Sequence, residues 1–245
     1  MSKFEYKGYY ERSLPHIHPP DAIFFITFRL FGSIPKATIR EYKAKKDWLD
    51  NELERISHRK DNEPSNTIQS QYQSLVEFQR TWFKKFEDIL DTAKDGPMWL
   101  GENEIRQIVA DKLLEDDGNK YRLDAFCIMS NHVHVVFKPN LSETNLSEVK
   151  ISNRPTFISE EATLPKIMQS LKGSTSRKAN LFLNRKGSFW DAESYDHYIH
   201  NDAEFYRIIK YILNNPVKAK LVHHWKDWKG TYLTERLSEL FSATD

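Results

Sequence analysis

The stretch that decides the fold is Tyr121 to Pro139, Tyr-Arg-Leu-Asp-Ala-Phe-Cys-Ile-Met-Ser-Asn-His-Val-His-Val-Val-Phe-Lys-Pro. Two runs rich in apolar, aromatic and β-branched residues flank the turn-forming pair Ser130-Asn131, which predicts a β-hairpin with arms near 121–129 and 132–138. The second arm opens His132-Val133-His134. Side chains alternate across a strand, so both imidazoles share one face, about 6 to 7 Å apart along the backbone, and Val133 takes the other. Two imidazoles so placed can chelate a divalent cation. A His-x-His can equally line a solvated sheet face, and the pattern alone does not separate the two.

Composition narrows the classes. With 245 residues, 39% of them hydrophobic and 13% aromatic, the chain can bury a substantial core, and disorder is excluded. The apolar runs fall short of a bilayer span and Met1-Ser2-Lys3-Phe4-Glu5 has no signal-peptide core, so a cytoplasmic protein without a membrane partner is expected. The single cysteine, Cys127, sits inside the first hairpin arm, where a buried thiol is expected rather than a nucleophile. A net charge of +1 points to no nucleic-acid partner by itself. The local distribution of charge does.

Upstream of the hairpin, Ala22 to Phe31 is strongly β-prone and predicts the first core strand. Before it lies a polar, aromatic arm ending Arg12-Ser13-Leu14-Pro15-His16-Ile17-His18-Pro19-Pro20, whose prolines predict an extended loop rather than a paired strand. Its second His-x-His, at His16 and His18, is therefore poorly placed for a metal. With Arg12, those histidines sit on a segment able to reach base edges, and Tyr9 and Tyr10 can stack on unpaired bases. Between first strand and hairpin, apolar residues at helical spacing predict helices over 36–57, 68–93 and 102–115. Their stripes are core-forming and carry no assigned chemistry.

Downstream, residues 140–162 predict a polar loop. Leu164 to Gly187 then contains Lys166, Lys172, Arg177, Lys178, Arg185 and Lys186 with no acidic residue, a phosphate-tracking surface on one helix and its exit. The connector Gly187 to Tyr198 is aromatic but too polar to predict a strand. It leads to a helix capped at Asn201-Asp202 and ended by Pro216. On that helix Tyr211 and Asn215 are one turn apart on one face, presenting a phenol that could be a nucleophile beside an amide that could be a third metal ligand.

Met129-Ser130-Asn131-His132-Val133-His134-Val135, the aromatic connector and Tyr211-Ile212-x-x-Asn215-Pro216-Val217-x-Ala219 together resemble the single-tyrosine HUH transposases, in particular the REP-associated tyrosine transposases. The resemblance extends in order through Leu14-Pro15-His16, the strand at Phe25 to Leu30, Tyr121-Arg122-Leu123 and the Ser170-Leu171-Lys172 helix. Ser130 departs from the proline usual there, and Lys220 from the glycine.

The resemblance implies an α+β fold with a central antiparallel sheet of ferredoxin-like or RRM-like type and helices packed on one face, the nicking site lying on the other. It implies one domain over residues 1–225 with a helical insertion at about 58–98, and a C-terminal tail at 226–245. The implied activity is metal-dependent nicking and strand transfer on single-stranded DNA with hairpin structure. Tyr211 would be the nucleophile, His132, His134 and Asn215 would hold Mg²⁺ or Mn²⁺, and the intermediate would be a 5′-phosphotyrosine. Lys172, Arg177, Lys178, Arg185 and Lys186, with Arg12, His16 and His18, would contact DNA. A monomer is implied, with a dimer as the alternative, and a nucleoid-associated location. Tyr198, with Asp202 four residues on, is the competing nucleophile. A DNA-binding protein of the same fold without catalysis is the competing function.

Overall fold

A computed structural model describes residues 9–11, 15–17, 21–57, 65–92, 96–140, 146–151, 154–159 and 163–242. Near the N-terminus, β1 (Tyr9–Glu11) and β2 (Pro15–Ile17) pair antiparallel, where the prolines predicted an unpaired loop. Pro15 is tolerated because it is the first residue of its strand, where a missing N–H costs the ladder little. Then comes β3 (Phe24–Leu30), buried along nearly its whole length. Two long helices follow, α1 (Lys36–Ser57) and α2 (Ser65–Thr92), and then α3 (Asn103–Glu115).

The predicted hairpin forms as β4 (Tyr121–Ile128) and β5 (His132–Pro139). Asp124 is an extra residue in β4, between the Leu123–Phe137 and Ala125–Val136 pairs. A second hairpin, β6 (Leu146–Ile151) with β7 (Arg154–Ser159), occupies the region predicted as a loop. The basic segment forms α4 (Leu164–Phe182).

The connector is a strand after all. As β8 (Trp190–Tyr198) it pairs antiparallel with β3 on the edge of the sheet. Its register slips between the Phe28–Ser194 and Leu30–Trp190 pairs, and there the Lys172 ammonium donates to the carbonyls of Asp191, Ala192 and Glu193 at 3.0, 3.2 and 3.2 Å. Arg29 adds an ion pair to Asp191 at 2.9 Å. An edge strand held by side chains through an irregular stretch does not need the apolar alternation by which strands are read.

The last elements are α5 (Asp202–Lys218), β9 (Thr231–Leu233) and α6 (Glu235–Ser242). Asn201 caps α5 by accepting from the Glu204 N–H at 2.9 Å, and the helix continues two residues past Pro216. Predicted boundaries ended the domain at residue 225, but β9 pairs with β4 and extends the sheet, and α6 seats Leu237 and Phe241 in the core. Buried Asp124 fastens α6 by accepting from Arg236 at 2.7 Å.

The result is an α+β fold with an open five-stranded antiparallel sheet in the order β8-β3-β5-β4-β9 and six helices among the described residues. Without β9, the order and the intervening helices are those of the ferredoxin-like split β-α-β unit. Helices cover both faces rather than the one predicted. Phe24, Ile26, Phe28, Val133 and Val135 meet α3 and α4 on one side, and Phe25, Cys127 and Val136 meet α5 and α6 on the other. No helix among the described residues is long and apolar enough to cross a membrane.

Candidate active site

Strand alternation puts His132 and His134 on the sheet face covered by α5, with Val133 in the opposite core, as the spacing predicts. Both imidazoles are fully buried, and their Nε2 atoms lie 3.0 Å apart. The turn residue Asn131 determines how His132 is protonated. Its amide N–H donates to the Leu90 carbonyl at 3.1 Å, which turns its Oδ1 to His132 Nδ1 at 2.7 Å. That nitrogen must therefore carry the hydrogen, leaving a lone pair on Nε2 facing His134. Burial, then the neighbouring His134 charge, depress the His132 pKa to about 3, so its neutral, ligating form prevails at neutral pH. His134 Nδ1 in turn lies 2.8 Å from the Thr27 hydroxyl on β3.

The third group comes from α2. Glu87 reaches the same place, its Oε2 3.2 Å from His134 Nε2. Burial alone would raise its pKa, but the His134 and His132 charges and the Tyr211 hydroxyl outweigh that and hold the carboxyl at about 2. Glu87, His132 and His134 present ligand atoms that all lie within 4.8 Å of one another, so this buried group could hold a metal ion.

Tyr211, predicted from its place on α5, arrives beside them. Its hydroxyl donates to Glu87 Oε2, and its ring centroid stands 5.5 Å from that of His134. Burial, and next the Glu87 charge, raise its pKa, so the resting side chain is a phenol. One turn on, Asn215 is 1% exposed, and neither its amide nitrogen nor its amide oxygen has a hydrogen-bond partner. Buried amides are nearly always satisfied, so a pair of free amide atoms one turn from Tyr211 is what an extra ligand would leave behind. α5 is tied to α2 by Lys218, which donates to Asp91 at 2.7 Å.

No family model matches this sequence, and no curated protein matches it. Among solved structures, that of a REP-associated tyrosine transposase bound to a REP hairpin aligns at 12% identity and a TM-score of 0.44, covering 100% of this chain and 89% of that one. Likeness at that level carries no weight for the chemistry, which rests on the geometry of the site.

The remaining predicted residues lie elsewhere. Tyr198 packs against the core of the opposite face, away from the histidines. Lys172, Arg177, Lys178, Arg185 and Lys186 belong to α4 and its exit, also on that opposite side. Lys172 is engaged by the β8 carbonyls already described, and Arg185 lies 4.1 Å from the centre of the Trp99 ring and donates to Asn180 at 2.6 Å. Arg177, Lys178 and Lys186 are exposed. Arg12 and His18 lie outside the described residues, and the His16 backbone pairs with Tyr10 in β2. Cys127 is buried, its thiol pushed up to about 12 by burial, which fits a packing role.

A second cluster, His197, His200 and Glu204, also brings ligand atoms within 4.8 Å of one another. Its carboxylate is occupied by the His200 N–H at 2.9 Å and His197 Nε2 at 3.1 Å, contacts that fasten the start of α5. Glu87 is the site residue that sequence patterns missed. Its signal was positional: it falls between Phe83 and Leu90 on the apolar stripe of α2, where a carboxylate needs a partner to be buried.

Proposed function

We propose that the protein is a metal-dependent single-stranded DNA endonuclease and strand transferase that works through a 5′-phosphotyrosine at Tyr211. The observation that carries this reading is the Tyr211 hydroxyl donating to Glu87, a carboxylate that also touches the buried His132–His134 pair. A lone buried tyrosine is a core residue; one aimed at a carboxylate and two imidazoles is an arrangement for moving a proton and a phosphoryl group.

His132, His134 and Glu87, with the unpartnered Asn215 amide, are the residues that would hold Mg²⁺ or Mn²⁺. A bound divalent ion would supply charge neutralisation on the non-bridging oxygens of the scissile phosphate. The chain's own residues do the rest. Asn131 and Thr27 hold the two imidazoles in register from behind. Glu87 accepts the phenolic hydrogen bond and so aims the Tyr211 oxygen, while the proton itself, which a carboxyl held at about 2 does not retain, passes on to water as attack proceeds. The Tyr211 oxygen forms a bond to phosphorus as the bond to the departing 3′ oxygen breaks, and a proton restores that oxygen to a hydroxyl. Because the new phosphodiester keeps the broken bond's free energy, a second 3′-hydroxyl can reverse the step onto another strand. The insertion between β3 and β4 belongs to the catalytic unit in this reading, since Glu87 comes from it.

A labelled single-stranded hairpin oligonucleotide incubated with protein and Mn²⁺ tests this on a denaturing gel. A shifted, protease-sensitive covalent species is expected. Retention of the oligonucleotide without any adduct would leave a non-catalytic DNA-binding protein of the same fold.

A further inference from the structure

Beside the histidine site, and sharing Glu87 with it, lies a cleft of about 590 Å³ between β3, β8 and the helices α1 and α2. That volume is within the range of pockets that hold small ligands, which run from about 300 to 1,000 Å³. Its walls are aromatic: Phe86 and the stacked pair Phe83 and Tyr195, whose ring centroids are 4.0 Å apart, line it, and Phe31 at its edge is 54% exposed. Lys36, Arg40 and Lys43 line it from α1, at the spacing that puts all three on one side of a helix. All three are exposed, and none makes an ion pair with a carboxylate among the described residues.

Two further groups make the cleft selective. Arg29 and Glu193 both line it, and each keeps a buried side-chain atom without a hydrogen-bond partner, Nε of Arg29 and Oε2 of Glu193. Unmatched buried donors and acceptors are rare in folded proteins, and here one of each borders the same aromatic space. Aromatic faces, a row of cations, and a donor with an acceptor are what a nucleotide requires: a surface for the base to stack on, charge for the phosphate, and partners for the base edge.

We propose that this cleft holds one unpaired nucleotide of single-stranded DNA next to the scissile phosphate, with its base among Phe31, Phe86 and Tyr195 and its backbone against Lys36, Arg40 and Lys43. Glu193 accepts from an N–H of the base edge and Arg29 donates to it. The inference rests on the nicking reading for its substrate. Continuity through Glu87 places the bound nucleotide beside the reacting centre, so the insertion that supplies Glu87 also selects the base near the cut.

The test measures binding apart from chemistry. Tyr211→Phe protein, which retains the fold and cannot form an adduct, is titrated by fluorescence anisotropy with a hairpin oligonucleotide bearing a single-stranded extension, an abasic site being walked through the extension. One position should weaken binding roughly 5- to 150-fold when its base is removed, the span of single stacking contacts. Adding Phe31→Ala should abolish most of that position's penalty, and Glu193→Gln should change which base is preferred there without altering affinity for the abasic DNA. No position-dependent penalty, a penalty left whole by Phe31→Ala, or no DNA binding overturns the proposal. Adduct formation by the wild-type protein is read in parallel. The abasic pattern without an adduct keeps the cleft and removes the nicking reading, whereas an adduct without the pattern does the reverse.

Discussion

The Tyr211 hydroxyl donates to the carboxylate of Glu87, a residue 124 positions earlier in the chain and on a different helix. Glu87 thereby joins the phenol to the paired histidines, and the α2 helix supplies a side chain to the candidate site as well as to the core. Its neighbours on α2 support this placement, Leu90 through its carbonyl to Asn131 and Asp91 through its ion pair with Lys218.

Glu87→Gln keeps the shape and removes the charge. Mn²⁺ affinity measured by calorimetry should fall at least about tenfold, the scale seen when a group that orients or completes a metal site is lost. His132→Ala or His134→Ala should abolish measurable binding, whereas His197→Ala should leave it intact. Between ions, two imidazoles and a carboxylate favour Mn²⁺ over Mg²⁺, which prefers an all-oxygen shell. Equal affinity of wild-type and Glu87→Gln proteins for Mn²⁺ would remove Glu87 from the site.

The metal-free protein should lose stability in acid in a defined window. His132 moves from an ordinary 6.5 to about 3 on folding, and Glu87 from 4.5 to about 2. Both shifts are downward, so each contributes stability that is complete above the unfolded value and is lost as pH falls through the folded one. The melting temperature in chelator should therefore decline from about pH 6.5 toward pH 2, steepening below about 4.5 as Glu87 joins. Glu87→Gln should lack the steepening below about pH 4.5 and level off near pH 3, where the His132 contribution ends. A melting temperature independent of pH over this range would contradict these shifts.

Lys220 follows α5 with a φ of 58°, in the left-handed region, with its N–H bonded to the Val217 carbonyl and the Leu221 N–H bonded to that of Pro216. This is a Schellman turn with lysine where glycine fits best. Lysine at this position thus strains one residue at the helix exit. Lys220→Gly should stabilise by about 0.5–1 kcal/mol and raise Tm by about 1–4 °C. A lower Tm in a thermal melt would mean that the lysine side chain holds something there.

Lys172 and its neighbours on α4 separate by role. Lys172→Met keeps the stem but strands the carbonyls of Asp191, Ala192 and Glu193, and should cost about 1–3 kcal/mol by denaturant titration. Replacing exposed Arg177 and Lys178 together by Ala should leave stability unchanged and, if DNA runs along α4, flatten the log-log salt dependence of binding by up to about 1.4. Full stability in Lys172→Met would return that residue to the DNA-contacting set.

Where a local pattern is enough, the sequence foretold the structure. The hairpin, β3, α3 and α5 follow from apolar periodicity and caps, and His132, His134 and Tyr211 meet because a strand period and a helix period each put the right atoms on one face. β8 was illegible because its irregular stretch is held by Lys172 and Arg29 from elsewhere in the chain. The addition of β9 to the sheet pairs it with β4, and α6 behind it is fastened by Arg236 to Asp124 on β4, residues far apart in sequence. Glu87 was missed for a similar reason: an acid on an apolar helix stripe signals only that it is paired, and its partners lie on β5 and α5.

Tyr211 is expected to become covalently joined to DNA. Wild-type protein incubated with Mn²⁺ and a single-stranded hairpin substrate is digested with trypsin and nuclease, and the peptides are mapped by mass spectrometry. A nucleotide attached through a 5′-phosphate to Tyr211, absent from Tyr211→Phe and from chelator-treated samples, is the result expected. Attachment at another residue, or an adduct that persists in Tyr211→Phe, would contradict it.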